Sequence, residues 1–194
     1  AAVAEDENTV QHVRYEYAAL LSKCDRYLGK VLDMMDQYRL WDDTMLIVNT
    51  DHGFMLSQHN WWGKMMMPYY NELAHTPLFV WDPRTGVCGE RRQALVQTID
   101  LAPTLLEYFG LPIPADMEGR PLRETIESDK KIRDYALFGQ HGIHVNITDG
   151  RYVYMRCPMP DKEQELFNYV VEPTSYPGAI TVEELKTAVL HGGF

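Results

Sequence analysis

Met45-Leu46-Ile47-Val48-Asn49-Thr50-Asp51-His52-Gly53 is the most informative stretch of this chain. Its first six residues form a nearly all-apolar run of strand length, entered from the polar turn Trp41-Asp42-Asp43-Thr44. A strand apolar on both faces belongs inside an α/β sheet with helices on each side. Upstream, Val13 to Leu40 carries helical periodicity. Tyr17, Leu20, Leu21, Cys24, Leu28, Val31, Leu32 and Met35 recur at three- and four-residue steps, with charged residues between them. Gly29 interrupts the pattern and signals close packing or a mild defect. Residues 1–9 read as a frayed start. Helix followed by buried strand is the order of a doubly wound fold, whose chemistry gathers at the carboxyl ends of its strands. That end holds Asp51, His52 and Gly53.

Working outward, Thr76 to Trp81 reads as a second apolar strand and Asp82 to Gly86 as a turn. Gln97 to Phe109 reads as a helix, started by Thr98 or Asp100, with Pro103 in its first turn and Gly110 as its stop. Leu111-Pro112-Ile113-Pro114 is a rigid link. Arg123 to Arg133 is polar with no clear core face. Tyr135 to Thr148 and Arg151 to Arg156 alternate about the strong turn signal Asp149-Gly150, as in a small antiparallel sheet. Thr181 with Glu184 forms a capping box ahead of a short helix, Val182 to Leu190.

Composition bounds the function. The 194 residues are 45% apolar and 24% charged, which is ordinary for a folded domain. A net charge of −10 argues against nucleic acid and against an anionic membrane as partner. No apolar run approaches the ~20 residues of a spanning helix. The three cysteines, Cys24, Cys88 and Cys157, are odd in number and widely spaced. They suit a reducing, cytoplasmic type of compartment better than a disulfide framework.

The densest chemical cluster lies between Asp51 and His75, with His52, His59, Lys64 and Glu72 between them. A carboxylate and an imidazole at a strand end can share one divalent cation. Gly53 lets the backbone turn away behind them. An Asx-type turn in a polar loop is the plainer reading. Trp61, Trp62 and Met65 to Met67 can line a pocket, although such clusters more often pack. His141 and His144 fall in the small sheet, where surface or packing roles suffice.

The run Thr50-Asp51-His52-Gly53, then His59 and Gly63-Lys64, then His75-Thr76-Pro77-Leu78, resembles the sulfatase family of the alkaline-phosphatase-like superfamily. The long preceding helix, Gln97 to Leu106, and Gly119-Arg120-Pro121-Leu122 fit the same pattern. The resemblance implies an α/β, alkaline-phosphatase-like fold. A partial parallel or mixed sheet flanked by helices would cover residues 1–132, and a small C-terminal antiparallel-sheet subdomain would begin within 133–194. It implies that Asp51 and His52 are metal ligands, Ca²⁺ foremost, with Mg²⁺, Mn²⁺ or Zn²⁺ as options because an imidazole tilts a site toward softer ions. It implies that Lys64 contacts the ester's anionic oxygens, where an ammonium neutralises developing charge. His59 matches a pocket histidine that either donates to substrate or holds the loop. His75 contacts substrate in the sulfatase reading, ligates a second metal in the phosphodiesterase reading, and is otherwise a buried, satisfied histidine.

Sulfatases also need a formylglycine made within Cys/Ser-x-Pro/Ala-x-Arg. None of Cys24, Cys88 or Cys157 has that context, and no serine does. The family's N-terminal Asp-Asp pair is missing too. The chain therefore reads as the C-terminal part of a sulfate-ester hydrolase. It would be inactive alone and would self-associate through its exposed sheet edge. Its substrate would be a sulfated sugar, an aryl sulfate or choline sulfate. A phosphonate or phosphate-ester hydrolase or transferase of the same superfamily, and a non-catalytic interaction module, are the alternatives.

Overall fold

A single capping residue sets where the chain becomes helical. In the computed structural model, which describes residues 2–64, 67–140 and 144–157 and the backbone of two short strands beyond them, the Asp6 side chain accepts from the Thr9 N–H at 2.8 Å. That bond satisfies one of the helix's orphan donors. Helix α1 (Glu7–Gln37) therefore starts six residues before the apolar periodicity does. The first residues are not frayed. Val3 N–H donates to Asn60 O, and Glu5 accepts from the Trp62 indole at 2.7 Å. The apolar stripe of α1 is largely uncovered: only Val10 and Met35 are buried, while Leu20 and Leu21 are each 61% exposed. Gly29 has open space around it, so close packing is not its reason.

Residues 1–158 form one compact unit and 159–194 a second. In the first, β1 (Leu46–Asn49) is followed by β2 (Met55–Leu56), β3 (Trp62–Gly63), the single-turn α2 (Asn71–Ala74) and β4 (Leu78–Trp81). β1 pairs with β4, from Leu46 opposite Trp81 to Asn49 opposite Leu78. The pair is antiparallel, which a mixed sheet admits and the helix-then-strand order did not suggest. The connection explains it. The described residues of segment 50–77 form the β2–β3 hairpin and one helical turn, and supply no crossover helix to return the chain to the far edge. β1 and β4 are also not covered on both faces among the described residues, since Phe79 is exposed.

Helix α3 (Leu101–Tyr108) is introduced by a 3₁₀ turn at Thr98–Asp100. A capping box between Gln97 and Asp100 opens that turn. Leu111 N–H bonds back to Leu106 O beyond Gly110, whose φ of +67° ends the helix. The segment that lacked a core face is helical over α4 (Arg123–Ser128), and Leu122, Thr125 and Ile132 are buried. Asp100, fully buried, binds it in place. It accepts from the guanidinium of Arg133, from Arg120 N–H at 2.9 Å and from Gln97 N–H at 2.7 Å. Asp82, also buried, is clasped by Arg84, whose guanidinium lies over the Tyr108 ring and ties the end of β4 to α3.

The alternating region forms the three-stranded antiparallel sheet β5 (Ala136–Gln140), β6 (His144–Thr148) and β7 (Val153–Arg156). Asp149 closes the β6–β7 turn by accepting from the Arg151 and Tyr152 N–H groups. Strands β8 (Thr174–Ser175) and β9 (Gly178–Ala179) pair antiparallel in the second unit. The helix expected at Val182 to Leu190, Met65, Met66 and His141 lie outside the described residues.

Candidate functional site

The antiparallel register brings both ends of segment 50–77 to one end of the β1–β4 pair. Everything in the chemical cluster hangs from that end. Beneath it, Met55, Met67 and Leu73 form a small buried core edged by Trp61, Tyr69 and Tyr70. Met67 and Trp61 therefore pack rather than line a pocket. Burial of these three side chains is what holds a hairpin and a single helical turn that could not persist alone.

Gly53 is the tightest point. A Cβ there would lie 1.7 Å from Glu72 O, so only glycine lets the strand-end loop touch α2. Its N–H donates to Leu73 O at 2.9 Å. Close approach, more than a turn, is the reason for glycine here.

Asp51 and His52 stand on this fixed backbone. Asp51 Oδ1 accepts from His52 N–H at 2.9 Å. His52 Nδ1 lies 2.8 Å from Gly53 O, and its Nε2 lies 2.5 Å from Lys64 Nζ and 3.2 Å from Asp51 Oδ2. A carbonyl only accepts, so Nδ1 carries the proton. An ammonium only donates, so Nε2 presents its lone pair. Desolvation pushes the Asp51 carboxyl up, but the His52 N–H bond and the positive charge nearby together outweigh it and hold the carboxyl below the usual range. An imidazole lone pair and a carboxylate oxygen 3.2 Å apart are spaced as neighbouring ligands of one cation with bonds of about 2.0–2.6 Å. These residues fit a divalent ion as a ligand pair. Among the described residues no third His, Cys, Asp or Glu joins them.

His59 and His75 are placed differently. His59 Nε2 lies 3.2 Å from Glu72 Oε1, and its ring stacks on Tyr70 at 3.9 Å between centroids. Its backbone is left-handed, with φ of 51°, as are those of Ser57 and Asn60. Arg14 of α1 braces the strained loop through Leu56 O and the Ser57 hydroxyl. His75 caps the end of α2 with its N–H on Asn71 O, and it is exposed rather than buried. The structure thus joins Asp51, His52 and Lys64 in one contact group, and His59 with Glu72 in a second beside it. The roles of Glu72 and Tyr70 had no signal in the sequence, because a four-residue turn shows no periodicity.

Two family models match the chain. The sulfatase model matches residues 2–111, and the model of the N-sulphoglucosamine sulphohydrolase C-terminal region matches residues 57–185. N-acetylglucosamine-6-O-sulfatase of Bacteroides thetaiotaomicron is 30% identical over 121 residues, 62% of this chain and 21% of that protein. An arylsulfatase of Clostridium perfringens is 25% identical over 193 residues, 95% of this chain and 39% of that protein. Among solved structures, a phosphonate monoester hydrolase from Silicibacter pomeroyi superposes with a TM-score of 0.73 at 26% identity, covering 80% of this chain and 34% of that one. The chain thus spans well under half the length of each of these relatives. The alkaline-phosphatase-like fold agrees with these matches, and the sulfatase model covers more than half of the chain: the chain belongs to the sulfatase family.

Proposed function

We propose that this chain supplies the metal-ligating and anion-binding part of a sulfuric ester hydrolase. The observation that carries the reading is the convergence of Asp51 Oδ2, His52 Nε2 and Lys64 Nζ at the end of β1. Asp51 and His52 would hold one divalent cation, Ca²⁺ foremost, which when bound supplies Lewis-acid charge to sulfate oxygens. The chain's own residues do the rest. Gly53 O fixes the His52 tautomer, so that Nε2 is the ligating atom. Lys64 offers an ammonium to the negative charge that develops on the departing oxygen. His75, exposed at the same end, would meet substrate in this reading. His59, whose Nε2 is committed to Glu72, is given no substrate contact.

No cysteine or serine of this chain has the context for formylglycine. The nucleophile is assigned to the remainder of a longer protein. Residues 1–132 would then belong to its catalytic domain and 133–194 to its small C-terminal subdomain. The substrate class is a sulfate ester of a sugar, phenol or choline, since proteins similar to this chain include an N-acetylglucosamine-6-O-sulfatase, arylsulfatases and a choline-sulfatase. Exposed Leu20, Leu21 and Tyr27 on α1 and Phe79 on β4 would drive self-association of the isolated chain. A phosphonate monoester hydrolase is the second reading, favoured by the likeness to the enzyme from Silicibacter pomeroyi.

Calorimetric titration of the chain with Ca²⁺, Mg²⁺, Mn²⁺ and Zn²⁺, repeated on Asp51→Asn and His52→Ala, tests the ligand pair. Binding that both substitutions abolish is expected; equal binding by the variants would refute the assignment. Turnover of an aryl sulfate by the chain alone would refute a nucleophile elsewhere. In the longer protein, preference for an aryl phosphonate over an aryl sulfate would select the second reading.

A further inference from the structure

The strained loop beside the candidate site has no role in the reading above, yet its geometry leads to that site. Ser57, His59 and Asn60 all have positive φ, of 77°, 51° and 65°. Each left-handed non-glycine residue costs on the order of 1 kcal/mol and persists only where surroundings over-determine it. Two His59 contacts do so. Its ring lies nearly parallel to Tyr70, at 13° between planes, and its Nε2–H donates to Glu72 Oε1 at 3.2 Å. Tyr70 is the residue that opens α2, and Glu72 lies within it. His59 thus holds the N-terminal half of a turn that is too short to be stable by itself.

What α2 does next is set by backbone contact. Glu72 O bears on the Cα of Gly53, where no Cβ fits, and Leu73 O accepts the Gly53 N–H. Gly53 O in turn receives the His52 Nδ1–H at 2.8 Å. Moving α2 moves the carbonyl that decides which nitrogen of His52 is free. We propose that Glu72 and His59 are positioning residues. Their hydrogen bond and the stack on Tyr70 clamp α2 against Gly53, and so lock His52 in the Nδ1–H tautomer with Nε2 aimed toward Asp51 and Lys64. This rests on the metal-site reading for its purpose but not for its geometry.

The test reads the imidazole directly. Long-range ¹H–¹⁵N correlation spectra of the 194-residue chain, without added metal, should show His52 as the Nδ1–H tautomer. Glu72→Ala and His59→Ala should each convert that signal to the averaged shifts of a mixed tautomer. Glu72→Gln, which keeps an acceptor, should restore most of the wild-type pattern. The double variant should be no worse than either single change. Cation affinity should fall about tenfold in the alanine variants, the usual scale for a lost outer partner of a ligating histidine. A wild-type His52 without the Nδ1–H signature overturns the proposal. So does a folded Glu72→Ala or Glu72→Gln chain whose His52 signal is unlike the expected pattern, either unchanged in the first or averaged in the second. If the tautomer responds as described while the wild-type chain binds no cation, the metal reading fails and the clamp stands.

Discussion

Asp100 and Asp51 are both aspartates whose carboxyls are held below the usual range, and they do opposite work. Asp100 is fully buried, and its partners reach it from residues 20 and 33 positions away in sequence. Asp51 is exposed, and its partners are its own neighbour and Lys64. The first joins α3, the link at Arg120 and the segment before β5 into one knot. The second keeps oxygen lone pairs open to whatever arrives. A depressed carboxyl therefore marks structure when its donors are buried and distant. It marks a candidate site when they are local and the oxygens stay accessible.

Removing the buried partner should show this most strongly. Asp100→Ala strands the Arg133 guanidinium, only 10% exposed, without a counter-charge. A loss of about 3–5 kcal/mol in urea unfolding is expected. A loss below about 1 kcal/mol would erase the contrast. Gly53→Ala comes next, since its Cβ would meet Glu72 O at 1.7 Å. Backbone displacement of this kind is worth about 1–3 kcal/mol, and cation binding should weaken with it.

The two aspartates should also separate under acid. The Asp100 carboxyl is raised by desolvation, but the Arg133 bond, then the Arg120 and Gln97 N–H groups, outweigh that and leave it lowered. A carboxyl lower in the folded than in the unfolded chain stabilises the fold above the unfolded value, about 3.9, and loses that contribution as pH falls through the folded value. Asp82, lowered by its Arg84 bonds against desolvation, acts in the same direction. Melting temperature should thus be flat near neutrality and drop below about pH 4. The drop should be clearly shallower in Asp100→Asn and only slightly shallower in Asp51→Asn, whose exposed carboxylate is screened by solvent. The smallest expected effect is on stability in Lys64→Met, which should leave the melting temperature in place yet raise divalent-cation affinity several-fold. An ammonium that competes for His52 Nε2 is then gone. Weaker cation binding in Lys64→Met would mean that the lysine supports the ion rather than competing with it.

The same contrast explains what could be read from sequence. Strands Leu46–Asn49 and Leu78–Trp81, helix Leu101–Tyr108 and the Asp149-Gly150 turn were legible because apolar runs, Pro103, Gly110 and turn residues act locally. The grouping of Asp51, His52 and Lys64 came from the family resemblance, and the structure brings the three side chains into contact. Three features were not legible. The pairing sense of β1 and β4 depends on how residues 50–77 fold back. Helix α4 and Arg133 show no core pattern, because a buried arginine declares itself only through an aspartate 33 positions away. The Glu72–His59 bond joins two residues 13 apart across a loop whose left-handed backbone no residue type announces.

The Asn49–Leu78 register has one more consequence, for engineering and for how such chains diversify. Paired antiparallel residues sit about 4.5–5.5 Å apart at Cα, so segment 50–77 leaves and re-enters through a single doorway. Such a segment is a cassette. A replacement of another length meets the same two anchors, and each doubling of its length adds only about 0.6 kcal/mol of closure entropy. Grafting a different 50–77 equivalent between Asn49 and Leu78 should exchange the site's chemistry while the strand pair beneath keeps its alignment.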